Sequence, residues 1–78
     1  MYVERYRKAM VDQVLNADQE LLGVKLGVLC IAKDISTIDV ADYLKVPRTT
    51  VYAWFKGEAK VPRRLVPTVQ EVVDKLSS

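Results

Sequence analysis

The sequence has no histidine and a single cysteine, Cys30. Without imidazole it lacks the commonest general base and the commonest metal ligand, and one thiol cannot close an intrachain disulfide. Cys30 stands within an apolar run, where a thiol is expected to be buried and inert. Serine is also scarce, confined to Ser36, Ser77 and Ser78. The carboxylates are scattered along the chain, and no two are spaced like metal ligands or an acid–base couple. The chain is therefore expected not to be an enzyme, to hold no metal or cofactor, and to act on no small-molecule substrate. Glycine and proline number three each, too few for a linker-like or collagen-like composition, and no internal repeat is visible. The longest apolar stretch, Leu21 to Ala32, is twelve residues interrupted by Lys25, whereas a bilayer span needs about 20. No cationic-then-apolar leader follows Met1, so a cytoplasmic setting is expected.

What remains is the composition of one small folded domain: 78 residues, 50% of them hydrophobic and 28% charged. A chain of this length buries only about 60–65% of its unfolded surface, which leaves room for a thin core and favours binding over catalysis. The net charge of +2 conceals an uneven distribution. Over residues 1–34 five cations face five acids and the sum is zero. Over residues 45–64, Lys45, Arg48, Lys56, Lys60, Arg63 and Arg64 face Glu58 alone, a net +5. Such a density of positive charge suggests a polyanionic partner. The plain alternative is a solvated basic face.

The apolar periodicity predicts helices throughout. Tyr2, Tyr6, Met10 and Val14 recur every four residues, with Val3, Val11 and Leu15 widening the stripe, so a helix is predicted over about 2–15. Asn16 or Asp18 can cap a second helix over about 19–33. Gly23 and Gly27 lower its propensity by about 1 kcal/mol each, and its Val, Leu and Ile content would also suit a strand. The period of Leu22, Leu26 and Leu29, and the lack of any partner strand, favour the helix. The two glycines either form a bare strip for a close neighbour or mark a break. Ser36 and Asp39 then open a third helix in a Ser-x-x-acid arrangement, predicted over about 37–45. Pro47 stops it, a fourth helix follows over about 48–56 with Gly57 as its left-handed terminator, and Leu65 to Leu76 form a last helix with Pro67 in its first turn. The fold class is all-α, a small bundle of about five helices in a single domain.

The third and fourth helices are joined too tightly to lie antiparallel and should cross steeply. Ala41 and Val51 are the small and shaped residues such a crossing needs. In the fourth helix Val51, Trp54 and Phe55 share one face, which is core. Thr49, Tyr52, Ala53 and Lys56 then point away from it, with Arg48 at the exposed leading end. A short polar, basic face of this kind suits a major groove about 12 Å wide.

Residues 36–66, from Ser-Thr-Ile-Asp-Val-Ala-Asp-Tyr-Leu-Lys-Val-Pro-Arg-Thr-Thr-Val-Tyr-Ala-Trp-Phe-Lys-Gly to Arg-Arg-Leu-Val, resemble the helix-turn-helix region of phage Cro and repressor proteins and their bacterial relatives, the lambda repressor-like proteins. With the flanking helices the resemblance covers about 60 of the 78 residues; the helix at 2–15 lies outside it. It implies a helix-turn-helix at 36–57 in which Arg48, Thr49, Tyr52 and Ala53 face bases. Phosphate contacts are implied at Ser36 and Thr37 before the first motif helix, and at Lys56, Lys60, Arg63 and Arg64 after the second. The sequence departs from the family at Lys45, where the turn commonly has glycine; a left-handed lysine there costs about 1 kcal/mol. Val-x-x-Trp-Phe is also similar to the third helix of a homeodomain, but that family has an adenine-reading asparagine where this chain has Gly57.

The expectation is thus a sequence-specific double-stranded DNA-binding regulator of transcription, a repressor of phage or prophage type, acting as a homodimer on a palindrome. The stripe Tyr2, Tyr6, Met10 and Val14 and the helix Val69–Leu76 are its candidate dimer interfaces, and the alternative for both is that they are core. The alternative is a protein-interaction module or inhibitor that binds a host protein through the same scaffold.

Overall fold

A computed structural model describes residues 6–78. They form five α-helices: α1 (Lys8–Asn16), α2 (Leu22–Ala32), α3 (Thr37–Leu44), α4 (Arg48–Phe55) and α5 (Val66–Ser77). A single 3-10 turn, Arg63–Leu65, precedes α5, and no strand occurs among the described residues. The ambiguous segment around Gly23 and Gly27 is therefore helical.

α2 is the centre of the bundle and packs against α1, α4 and α5. Its two glycines explain how α4 comes so close. A Cβ at residue 23 would stand 2.7 Å from Trp54 Cβ and 2.8 Å from the Trp54 carbonyl oxygen. At residue 27 it would stand 2.8 Å from Phe55 Cγ. The strip is filled by the backbone side of α4, so Trp54 and Phe55 lie fully within the core beside Val24, Leu26, Val51 and Val69.

The α3–α4 pair is built from local rules. Ser36 Oγ accepts from Ile38 N–H at 3.1 Å and caps α3. At the other end Lys45 takes left-handed backbone angles, φ 58° and ψ 46°. The next amide, Val46 N–H, donates back to the Ala41 carbonyl at 3.0 Å, closing the last turn. Pro47, extended at ψ 148°, aims the chain into α4. Ala41 of α3 and Val51 of α4 are both buried, and the two helices pack against each other. Gly57, φ +76°, follows α4.

Two helix starts differ from the sequence expectation. α1 begins at Lys8, not at residue 2: Tyr6 lies in a bend and Arg7 is extended, while residues 2–5 lie outside the described part. The reason is Tyr6, whose ring is buried and whose hydroxyl donates to the Ile35 carbonyl and accepts from Thr37 Oγ1 at 3.2 Å. α2 begins at Leu22 rather than 19, with no side-chain cap. Asp18 instead accepts from Glu20 N–H at 2.9 Å, and Gln19 donates to the Val14 and Ala17 carbonyls at 3.0 Å each. Asp18 and Gln19 thus bind the connecting turn, and neither Asn16, the last residue of α1, nor Asp18 caps α2 as expected.

Candidate nucleic-acid interface

The polar face of α4 follows from what its other face buries. With Val51, Trp54 and Phe55 inside, a helical repeat of 100° per residue turns Thr49 and Ala53 outward and leaves Arg48 and Tyr52 on the flank. In the structure Arg48 and Thr49 are exposed, and Tyr52, Ala53 and Lys56 are half-buried. All five lie on one short helix of eight residues, Arg48–Phe55, or at its C-terminal cap.

The loop after α4 carries the remaining charge. Glu58 N–H and Ala59 N–H both donate to the Ala53 carbonyl, at 2.9 and 3.3 Å, folding the loop back on the helix. Val61 and Leu65 pack against the core, and between and beside these anchors Lys60, Arg63 and Arg64 are exposed. The acids that could have neutralised the arginines are engaged elsewhere: Glu71 pairs with Lys75 at 3.3 Å, and Asp74 accepts from Gln70 at 2.9 Å. Lys56 has an acid of its own, Glu58, at 3.6 Å; both are surface side chains, and such a pair is worth at most about 1 kcal/mol.

Ser36 and Thr37 were expected to behave alike, and they do not. Ser36 is half-buried and caps α3. Thr37 is 4% exposed and its hydroxyl donates to Tyr6, so its side chain belongs to the interior and is turned away from any phosphate.

The sequence reading missed the position of α1 beside α4. Arg7 and Gln13 border, with Thr49, Tyr52 and Lys56, a cleft of about 510 Å³ between α1 and α4. Arg7, Met10 and Gln13 are spaced by three and share one side of the segment, the only local hint that these polar groups act together. Of the apolar stripe Tyr2, Tyr6, Met10 and Val14, Tyr6 and Val14 are buried in the core and Met10 is half-buried against it, while Tyr2 lies outside the described residues. On α5, Val69 and Val73 are buried, but Val72 and Leu76 border an apolar groove shared with Ile35, Val40, Tyr43 and Leu44 of the α3 side.

Cys30 is fully buried, and burial pushes its thiol up to about 11. No helix of the described residues is long and apolar enough to cross a membrane. Comparison with protein-family models, curated proteins and solved structures finds no match to this chain.

Proposed function

We propose that the chain is a sequence-specific binder of double-stranded DNA and a transcriptional repressor of phage or prophage type, with α3 and α4 serving as a helix-turn-helix. It is a binding protein, not an enzyme. One observation carries the reading: α4 buries Val51, Trp54 and Phe55 while leaving Arg48 and Thr49 exposed beside the exposed cations Lys60, Arg63 and Arg64. A helix that presents short polar side chains flanked by cations meets base edges and phosphates together. Arg48, Thr49, Tyr52 and Ala53 are the base-facing set. Ser36, Lys56, Lys60, Arg63 and Arg64 are the phosphate set.

One eight-residue helix reads only about 3–5 base pairs, so a two-fold dimer on a palindrome is part of the proposal. The seat for the second copy is the apolar groove between α3 and α5. Asp39 borders it on one side and Lys75 on the other. A two-fold axis running along the groove would set each Asp39 opposite the second copy's Lys75, which in the single chain pairs with Glu71 at 3.3 Å.

Selection of bound fragments from random duplexes, followed by titration against salt, tests the proposal. A palindromic consensus is expected, with affinity falling steeply as salt rises. About four phosphate contacts per subunit give a log–log slope near −7 for the dimer. Failure to enrich any duplex overturns the reading. Salt-insensitive capture of a protein through the α3–α5 groove would instead support the interaction-module alternative.

A further inference from the structure

Resting on the DNA reading, we propose that the cleft between α1 and α4 seats one sugar–phosphate strand at the edge of the major groove, with Arg7 and Gln13 holding its phosphates. The cleft lies beside α4, bordered by Arg7 and Gln13 on one side and by Thr49, Tyr52 and Lys56 on the other. Among the described residues its polar lining consists of two cations, an amide, and the hydroxyls of Thr49, Tyr52 and Tyr6, and none of them is a carboxylate. Glu58, the partner of Lys56 at 3.6 Å, stands outside it. Apart from Tyr6, whose hydroxyl hydrogen goes to the Ile35 carbonyl, each polar side chain in the lining can donate a hydrogen bond into the cleft, and phosphate oxygens are acceptors only.

Size decides which part of the nucleic acid fits. A major groove about 12 Å wide admits one helix. With α4 in the groove, α1 cannot enter as well and must lie over the strand that borders it. Arg7 and Gln13 therefore meet backbone and not bases. Arg7 is pre-positioned for this, because it sits in extended backbone at the start of α1 and directly follows the buried anchor Tyr6.

The test uses the full chain and two single variants, Arg7→Ala and Gln13→Ala, both at exposed positions, with circular dichroism to verify the fold. Affinity for the selected duplex and for a scrambled duplex is measured over a range of salt. Arg7→Ala is expected to weaken both duplexes alike, roughly tenfold, and to reduce the steepness of the salt slope by about 1 per subunit. Gln13→Ala is expected to weaken both alike without changing the slope. Parent-like affinity and slope in Arg7→Ala overturn the proposal while leaving the DNA reading standing. A loss confined to the selected duplex overturns it too, since that would make these residues base readers. If the parent chain binds no duplex, the DNA reading itself has failed and the cleft assignment falls with it.

Discussion

Lys45 holds backbone angles, φ 58° and ψ 46°, that strain any residue with a Cβ and that glycine adopts freely. Lys45→Gly is therefore expected to stabilise the fold by about 1 kcal/mol, raising the melting temperature by about 4–8 °C in a domain of this size. A thermal melt followed by circular dichroism measures it, and an unchanged or lower midpoint would contradict the strain. A left-handed residue here was implied by the family resemblance, in which the turn commonly has glycine, and not by the residues around Lys45 themselves. Cys30 gives a second residue-level expectation. Its thiol titrates at about 11 in the fold against 9.0 ordinarily. The folded state therefore holds its proton where the unfolded chain has lost it. Stability from this group is intact below about pH 9 and declines between 9 and 11. Urea titrations of Cys30→Ala should lack that component of the alkaline decline. Thr37 shows where local reading stops: the hydroxyl beside a capping serine looks solvent-facing until Tyr6, 31 residues earlier, arrives to accept from it.

Among the elements, α2 and α4 interlock through a surface that has no side chains. Gly23→Ala should destabilise the fold by about 1–3 kcal/mol, even though alanine is the better helix former by about 1 kcal/mol. Its Cβ would press on the Trp54 backbone, which cannot rotate aside. Equilibrium denaturation decides the sign, and a stabilised variant would show that α4 can retreat cheaply. The four-residue spacing of the glycines was readable as a strip, but its occupant was not, since nothing in the periodicity of α2 says which helix lies on it. Helix existence and order followed from apolar spacing. The starts of α1 and α2 did not, because Tyr6, Asp18 and Gln19 form specific hydrogen bonds that override the stripe.

At the scale of the whole molecule the charge asymmetry survives folding: Lys60, Arg63 and Arg64 remain exposed, and the acids on α5 pair within their own helix. The distant arrangement that the sequence concealed is the approach of α1 to α4, because Arg7 and Thr49 lie far apart in the chain. Tyr43, 59% exposed on the rim of the α3–α5 groove, provides the test of the proposed dimer. Tyr43→Glu should leave the melting curve of the monomer nearly unchanged and shift sedimentation toward one copy. Affinity for a palindromic duplex should fall to that for a single half-site. A dimer that persists in the variant would remove the groove as its seat.

The bare strip on α2 has one further implication. Because it grips the main chain and ring stems of α4, the angle at which that helix is presented is keyed from behind, independently of whatever decorates its front. Substitutions at 48, 49, 52 and 53 can then be exchanged as an interchangeable faceplate on a fixed mount, whereas a single added methyl on the hidden side would tilt every one of them at once.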